Sequence, residues 1–351
     1  MYYTGLKKIE DPKVRRRTVV GLQDLRKALS KEIPSRSAID TLLLATWNIR
    51  EFDSEKYGYR GDEQYFYIAE IISRFDLIAI QEVRDGLYPL QKLRRILGDD
   101  WQFLVTDVTL GDSGATERMA YFYDSRKVSF TGLAAELVLP KARNAKENPL
   151  QLARSPYIAG FRAGWAYLTL ATVHIYYGKG VKVDPRRLEE IRVFAKTIAE
   201  NAPRLSGAPQ YEPGARSKAD NLIILGDFNI FNREDVTMQA ITEAGFKVPE
   251  ELQEIPGTNV AKEKKHYDQI AYFNGLSRMK STGKAGAFDF YNHVYRIGDE
   301  ELYNDERGEY PKVSYREWRT FQMSDHLPMW IELQIDDTDS YLGDLIQDID
   351  K

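Results

Sequence analysis

The chain has 351 residues, of which 43% are hydrophobic and 12% aromatic, so it can bury a large core and should be globular. Its formal net charge of −4 excludes a surface that is basic throughout, so any site for a polyanion must be a local cluster of lysine and arginine. The sequence contains no cysteine, which excludes disulfides, thiolate zinc sites and a cysteine nucleophile.

The N-terminal region, residues 1–40, contains a predicted basic helix in which Leu22, Leu25 and Leu29 recur at helical spacing before the breaker IPSRSAID. This region has no apolar run of signal-peptide length, and no segment of the chain reaches the roughly 20 apolar residues that a membrane span needs. We therefore expect a cytoplasmic protein without a membrane partner, or a secreted protein if a signal peptide has been trimmed.

From Leu42 onward, apolar segments of strand length alternate with amphipathic segments of helical period. The predicted strands are TLLLATWN, DLIAIQEV, RMAYFYD, AYLTLATVH, NLIILGDF, QIAYF and MWIELQI. Helices are predicted for DEQYFYIAEIISRFD and DPRRLEEIRVFAKTIAE, and Asp184 followed by Pro185 suits the start of the second one. The alternation predicts a mixed α/β protein whose strands are buried on at least one face.

Two other segments are predicted to lie at the periphery of the fold. Residues 201–220 are rich in proline, glycine, serine and alanine, which predicts a long surface loop before the NLIILGDF strand. The acidic tail from residue 336 to residue 351 is predicted to form a short helix.

Polar side chains of catalytic type occur repeatedly at the ends of the predicted strands. They are Asn48, Glu82, His174, Asp227, Asn229, Asp325 and His326. Because strand ends of one sheet lie close together in space, we expect these side chains to converge. In an extended chain Asp227 and Asn229 would point to the same side, although each residue type taken alone is also a common turn former.

The residue types in this set are chemically compatible. A hard divalent cation takes one or two protein carboxylates and completes its coordination with water and substrate phosphate. Glu82 is the best carboxylate for that task, with Asn48 and Asp325 as possible helpers. Two histidines and an aspartate near such an ion can position water, neutralise phosphate charge and protonate a leaving oxygen, so the set predicts phosphoryl chemistry.

Eight motifs resemble, in order from about Leu42 to Leu333, those of the endonuclease/exonuclease/phosphatase superfamily, and are most similar to its deoxyribonuclease I branch. They are WNIREF, IAIQEVRDG, ERMAYFYD, LARSPY, ATVHIYY, GDFNI, YDQIAYF and SDHLPMWIEL. The resemblance implies an α/β fold in which two packed mixed β-sheets are flanked by helices, a four-layer α/β sandwich. It also implies a catalytic domain over 41–335, with residues 1–40 as an N-terminal extension and 336–351 as an acidic tail.

The same resemblance implies roles for the oxygen ligands. Glu82 and Asn48 would bind the metal, and Asp325 would assist at a metal site. Asp227 would orient or deprotonate the attacking water, while Asn229 would hold that water or a phosphate oxygen. The implied cofactor is Mg²⁺, with Mn²⁺ or Ca²⁺ as alternatives.

For the histidines, the resemblance implies two imidazole–carboxylate pairs. His326 would contact the scissile phosphate and be oriented by Asp268. His174 would be the second catalytic histidine, steadied by Glu117, in an arrangement that fixes the tautomer and raises basicity. The sequence leaves open which histidine is the acid and which the base. His266 and His293 lack such motifs and are expected to be ordinary surface or core residues.

Arginine positions indicate the substrate. The resemblance implies that Arg154 binds phosphate and that Arg84 enters a DNA minor groove, and Arg50 and Arg118 would extend the basic cluster. One departure concerns Ala115, which stands where the deoxyribonuclease pattern has a tyrosine used against a DNA sugar.

The predicted function is that of a divalent-metal-dependent phosphodiesterase, a deoxyribonuclease I-like nuclease that acts on DNA as its nucleic acid substrate. An alternative is a phosphoesterase of the same fold acting on RNA, phospholipid head groups or small phosphate esters. A third hypothesis is a non-catalytic binding module on the same scaffold.

Overall fold

The computed structural model describes residues 1–109, 116–139, 151–205, 221–308, 310 and 312–350. The strands are β1 (Thr41–Phe52), β2 (Leu77–Val83), β3 (Trp101–Val105), β4 (Arg118–Asp124), β5 (Val128–Glu136), β6 (Tyr157–Ala163), β7 (Ala166–His174), β8 (Asn221–Asp227), β9 (Phe246–Lys247), β10 (Asp268–Phe273), β11 (Lys280–Ala287) and β12 (Met329–Gln334). The α-helices are α1 (Pro12–Glu32), α2 (Asp62–Ile72), α3 (Tyr88–Leu97), α4 (Pro185–Asn201), α5 (Val236–Glu243), α6 (Glu250–Gln253), α7 (Asn304–Arg307), α8 (Tyr315–Gln322) and α9 (Thr338–Ile349). Short 3₁₀ helices lie at Tyr3–Lys8, Ala202–Arg204, Phe290–Asn292 and Ile297–Tyr303.

The strands form two six-stranded mixed sheets. The first has the order β11-β12-β1-β2-β4-β3 and the second has the order β5-β6-β7-β8-β10-β9. In each sheet the two central strands are parallel and all other neighbours are antiparallel, with β1 beside β2 in the first sheet and β7 beside β8 in the second.

The parallel pairs explain where the polar strand ends meet. A parallel connection needs a crossover, and here α2 joins β1 to β2 while α4 joins β7 to β8. Each crossover returns the chain so that both strands of a pair end at the same edge of their sheet. The C-terminal ends of β1, β2, β7 and β8 carry Asn48, Glu82, His174 and Asp227, respectively.

Three apolar clusters fill the spaces between four layers. One packs α1, α2 and α3 against the outer face of the first sheet, and includes Leu25, Leu29 and Trp47. A second cluster lies between the two sheets, and a third packs α4 and α5 against the outer face of the second sheet. The predicted four-layer α/β sandwich of two mixed sheets is therefore confirmed.

Most of the predicted elements occur where the sequence pattern placed them. The leucine spacing of the N-terminal helix and the Asp184 cap are confirmed, because Leu22, Leu25 and Leu29 are buried and the Asp184 carboxylate accepts two backbone N–H groups at the start of α4. The helix predicted for DEQYFYIAEIISRFD is shorter than expected, since α2 ends at Ile72 and Phe75 lies beyond it. Residues 206–220 of the predicted loop and Ala115 lie outside the described residues.

The tail and the N-terminal helix differ in how they contact the rest of the chain. No residue of α9 is buried, although the predicted helix is present. In contrast, α1 packs against α2 in the first apolar cluster. Among the described residues, none of the helices is both long and apolar enough to cross a membrane.

A buried carboxylate ties the first sheet to its flanking segments. Asp76 is fully buried just before β2 and accepts the backbone N–H of Leu43 at 2.8 Å. Its two oxygens also bind the Arg36 guanidinium at 2.6 Å and the Lys127 ammonium at 2.7 Å. These ion pairs join the segment after α1 to the segment between β4 and β5.

Replacing Asp76 by Asn should lower the free energy of unfolding by about 3 kcal/mol, because it leaves two cations near a buried group that no longer carries charge. The measurement is urea denaturation followed by circular dichroism. Asp100→Asn is the matched control, since the Asp100 side chain is 56% exposed and its partner Arg126 lies 3.5 Å away. That change should cost less than about 1 kcal/mol. Equal losses from the two variants would contradict the prediction.

Candidate active site

The candidate site is a row of polar residues across three neighbouring strands of the second sheet. His174 on β7 is the register partner of Asp227 on β8, and Asp227 is in turn the register partner of Asp268 on β10. All three side chains are buried. The first sheet brings Asn48 and Glu82 to the same place, so the predicted convergence of the strand ends is confirmed.

The Asn48 amide connects the two sheets. Its Nδ2 donates to Glu82 Oε1 at 2.9 Å and to Asp227 Oδ2 at 3.0 Å. Because both neighbours are acceptors, the amide nitrogen must face them, and Oδ1 points elsewhere. The second oxygen of Glu82 accepts the backbone N–H of Glu51 at 2.8 Å, so both carboxylate oxygens are held.

His174 belongs to a three-residue chain of charges. Its Nδ1 lies 2.9 Å from Glu117 Oε2, and Glu117 binds the Arg154 guanidinium through both oxygens, at 2.5 and 3.1 Å. Burial raises the pKa of Glu117, but His174 and Arg154 outweigh it and hold the pKa below its ordinary value. Burial and Arg154 lower the pKa of His174, but the carboxylates of Glu117 and Asp227 raise it by more, so the pKa lies above its ordinary value.

His326 forms the second imidazole–carboxylate pair. Its Nδ1 lies 2.8 Å from Asp268 Oδ2, and its backbone carbonyl accepts the Trp47 indole N–H at 2.9 Å. Burial lowers the pKa of His326, but Asp268 and Asp227 outweigh this effect and raise the pKa well above the ordinary value. An imidazole held by its Nδ1 in this way has one orientation and presents Nε2 to the site.

Both imidazoles face one carboxylate oxygen. Asp227 Oδ2 lies 3.5 Å from His174 Nε2 and 3.7 Å from His326 Nε2. Burial raises the pKa of Asp227, although the two histidines pull it in the opposite direction. Two imidazole nitrogens and one amide nitrogen therefore converge on a single carboxylate oxygen, an arrangement suited to moving a proton to or from a water molecule.

The end of β8 differs from the sequence expectation for Asp227 and Asn229. The strand ends at Asp227, and Asn229 has a left-handed backbone with φ 54°, so the two side chains do not follow the alternation of an extended chain. Asp227 Oδ1 accepts the Asn229 N–H at 2.9 Å, a turn-forming contact, and Asn229 Nδ2 donates to the Ile175 carbonyl at 2.8 Å. Turn formation and site chemistry therefore coincide at these residues.

Gly226 is required by the close approach of β7. Its φ is 129°, and a Cβ atom built there would lie 2.3 Å from the Val173 carbonyl oxygen, a backbone atom. A glycine at this position lets the backbone of β8 approach that of β7 closely.

Several oxygen atoms suit a divalent cation. Asn48 Oδ1 and Asp325 Oδ1 are buried and accept no hydrogen bond from any described residue. With Glu82, they form an all-oxygen set of the kind that Mg²⁺ prefers. A second possible group is Asp227, Asp268 and His326, whose ligand atoms lie within 4.8 Å of one another. That group includes an imidazole nitrogen, whereas the set with Asn48, Asp325 and Glu82 offers only oxygen and therefore suits Mg²⁺ better.

The four arginines named from the sequence have different surroundings. The Arg84 side chain is half-buried and makes no hydrogen bond or ion pair with any described residue. Arg154 is engaged by Glu117, and Arg118 donates to the carbonyls of Asp85 and Thr106. Arg50 lies 3.6 Å from Asp325 and packs over a phenylalanine ring. Arg84 therefore has the freest guanidinium of the four.

Three further residues support the site and were not predicted from the sequence. The buried Ser324 hydroxyl donates to the Asn48 carbonyl at 2.6 Å and accepts the His326 N–H at 3.0 Å. Arg60, also buried, donates to four backbone carbonyls, including those of Arg50 and Glu51 after β1. Gln81 Nε2 joins the two sheets by donating to the Thr172 hydroxyl at 2.8 Å. Only the position of Ser324 inside the SDH motif could have indicated its importance.

Replacing Asp268 by Asn should lower the pKa of His326, because the neutral amide no longer stabilises the imidazolium. The loss of a carboxylate favours the neutral ring, so the pKa moves down. An NMR titration of the four imidazole C–H signals in the presence of EDTA measures it, and His293 serves as the internal reference. Asp344→Asn on the exposed tail helix is the control. An unchanged His326 titration in Asp268→Asn would contradict the prediction.

Comparison with known proteins agrees with this architecture. The model of the Endonuclease/Exonuclease/phosphatase family matches residues 45–243. A protein named Deoxyribonuclease from Thioalkalivibrio sp. is 29% identical over 218 residues, which are 60% of this chain and 53% of that protein. The chain thus spans about half the length of the curated relative that it matches.

Solved structures share the fold at low identity. A functionally unknown conserved protein from Enterococcus faecalis has a TM-score of 0.54 at 15% identity, with 83% of this chain and 99% of that chain covered. TDP2 from D. rerio, complexed with single strand DNA product, has a TM-score of 0.52 at 14% identity, covering 84% and 98%. The human Nocturnin catalytic domain with bound sulfate has a TM-score of 0.52 at 14% identity, covering 84% and 93%. These structural matches show the fold alone.

Proposed function

This chain belongs to the endonuclease/exonuclease/phosphatase family, and we propose that it is a divalent-metal-dependent phosphodiesterase that hydrolyses DNA by attack of water. The observation that carries the proposal is the convergence of two imidazole–carboxylate pairs on Asp227. His174 Nε2 and His326 Nε2 lie 3.5 and 3.7 Å from the same Asp227 oxygen. A site that only binds a ligand has no need of two oriented imidazoles beside a buried carboxylate.

Glu82 and Asn48 are proposed to hold the cation, with Asp325 assisting. The unpaired Asn48 Oδ1 and the oxygens of Glu82 supply hard ligands, and Mg²⁺ is the proposed ion, with Mn²⁺ or Ca²⁺ as alternatives. When bound, such an ion polarises a phosphoryl oxygen and offsets negative charge that develops on it.

Asp227 is proposed to orient or deprotonate the attacking water, and Asn229 to help hold it in place. The raised pKa of Asp227 makes its carboxylate a better proton acceptor than an exposed aspartate. His326, whose pKa is raised most clearly, is suited to contact the scissile phosphate as an imidazolium, positioned by Asp268. His174, positioned by Glu117, is the second proton-transfer group.

DNA is the favoured substrate for two reasons. The curated relative at 29% identity carries the name Deoxyribonuclease. In addition, Arg84 has no partner among the described residues and is free to contact a phosphate or a groove, while Arg154 places a further guanidinium beside His174. RNA, phospholipid head groups and small phosphate esters are the alternatives, because the chemistry at phosphorus would be the same. The complete set of polar residues argues against a non-catalytic module.

Supercoiled plasmid should be nicked in Mg²⁺, and a chelator should stop the reaction. Asp227→Asn and His174→Gln should each lower kcat by at least about 100-fold, because each removes a proton-transfer group. His293→Gln is the matched control, since His293 stacks on Phe288, lies 3.7 Å from Glu32 and belongs to neither imidazole–carboxylate pair. A wild-type protein without metal-dependent nicking, on plasmid, RNA and phosphate esters alike, would count against the proposal.

Replacing Glu82 by Gln should weaken Mg²⁺ binding at least about tenfold, because the amide carries no charge to bind the ion. Isothermal titration calorimetry measures the affinity of folded wild type and variant. Glu189→Gln is the control, because the Glu189 side chain is 48% exposed and paired with Arg192 on α4. Equal affinities for wild type and Glu82→Gln would remove Glu82 from the proposed cation site.

A further inference from the structure

The loop that follows His174 is fixed by hydrogen bonds from helix α4. Arg187 on α4 is fully buried, and its guanidinium donates to the carbonyls of Tyr177, Val181 and Lys182 at 2.9, 2.7 and 2.6 Å. Gly178 packs so closely on Asp184 that a Cβ atom there would lie 2.4 Å from the Asp184 carboxylate. A buried arginine that holds three carbonyls of one surface loop gives that loop a defined shape beside the candidate site.

Tyr177 is the aromatic residue that this loop presents to solvent, with 42% of its surface exposed. Its ring packs against Phe231 and Tyr267, with centroid distances of 6.3 and 6.1 Å. Tyr267 in turn stacks on the His326 imidazole at 5.4 Å with an interplanar angle of 29°. Tyr177 is therefore connected to His326 through one intervening ring, and an exposed aromatic face lies next to the place proposed for the scissile phosphate.

The aromatic residues are accompanied by cations. The Lys265 ammonium lies 3.8 Å from the Phe231 ring centroid and 5.7 Å from that of Tyr267. Within the described ranges, neither Lys265 nor the exposed Lys179 has an acidic partner. An exposed ring whose aromatic neighbours contact an unpaired lysine is a combination by which proteins bind the bases and the backbone of single-stranded nucleic acid.

We propose that Tyr177 stacks on the nucleobase adjacent to the scissile phosphate, so that the site prefers single-stranded over duplex nucleic acid. The proposal rests on the proposed function and specifies its substrate class. In a duplex each base face is covered by its neighbours and must be unstacked before a ring can contact it, whereas a single strand offers its base faces at little cost. Lys265 and Lys179 would then contact phosphates on either side.

The test compares three substrates under the same Mg²⁺ conditions, namely a single-stranded oligodeoxynucleotide, its duplex and methyl p-nitrophenyl phosphate. Tyr177→Ala should lower kcat/KM on the single strand about tenfold, mostly through a higher KM, because one stacking contact is lost. The ratio of single-strand to duplex activity should fall with it. Tyr177→Phe, which keeps the ring, should restore that ratio.

Two controls separate stacking from a structural effect. Tyr341→Ala removes a tyrosine that is 37% exposed and packs on Trp165, at the opposite end of β7, and it should leave the ratio as in wild type. An abasic strand of equal length should cost the wild type about the same tenfold, and Tyr177→Ala should add little to that loss if base stacking is the contact removed.

The outcomes distinguish the two proposals. If the wild type hydrolyses none of the three substrates, the proposed function fails. If it hydrolyses them, but Tyr177→Ala has the wild-type ratio of single-strand to duplex activity, only the stacking inference is overturned. An equal loss on intact and abasic strands would also overturn it, because the ring would then contact sugar or phosphate.

Discussion

The buried hydrogen bonds of the Asn48 amide are the interaction on which the site depends. One nitrogen reaches Glu82 in its own sheet and Asp227 in the other sheet, so the relative position of the two sheets sets the distance between the proposed cation ligands and the proposed base. These contacts form only if both parallel strand pairs end at the same edge of the sandwich. The crossovers through α2 and α4 meet that condition, and the apolar cluster between the sheets maintains it.

Charge is concentrated at this edge, and its arrangement explains how a buried site can hold so much of it. Each imidazole has its own carboxylate, Glu117 for His174 and Asp268 for His326, so neither ring is an isolated buried cation. Asp227 lies between the two rings, and among the described residues no cation pairs with it alone. The backbone is strained at the same edge, because Glu82 and Asn229 both have left-handed φ values, of 61° and 54°. Strain at a functional site persists where the surrounding packing over-determines it, as the two sheets do here.

The sequence predicted seven of the twelve described strands, the helices α1, α2, α4 and α9 and the polar strand ends, because each of these follows from a local pattern of one element. Hydrophobic alternation identifies a buried strand, and a polar residue directly after the strand can be recognised in the same short segment of sequence. The hypothesis that Asp227 and Asn229 share one face of an extended chain was wrong, because the strand ends at Asp227 and Asn229 has a left-handed backbone. Arg60 and Arg187 had no predicted role, since each binds backbone carbonyls, which every residue type offers alike.

Taken by itself, the sequence determined the α/β class, the strand ends that carry polar residues and the family to which the motifs belong. Only the tertiary structure decided which of those residues meet, namely that Arg154 engages Glu117, that Asp227 faces both histidines, and that Tyr177 lies one ring away from His326. The physical reason is the range of the interactions. Periodicity and turn chemistry act over a few residues, whereas these contacts join segments separated by tens of residues and depend on how two sheets pack.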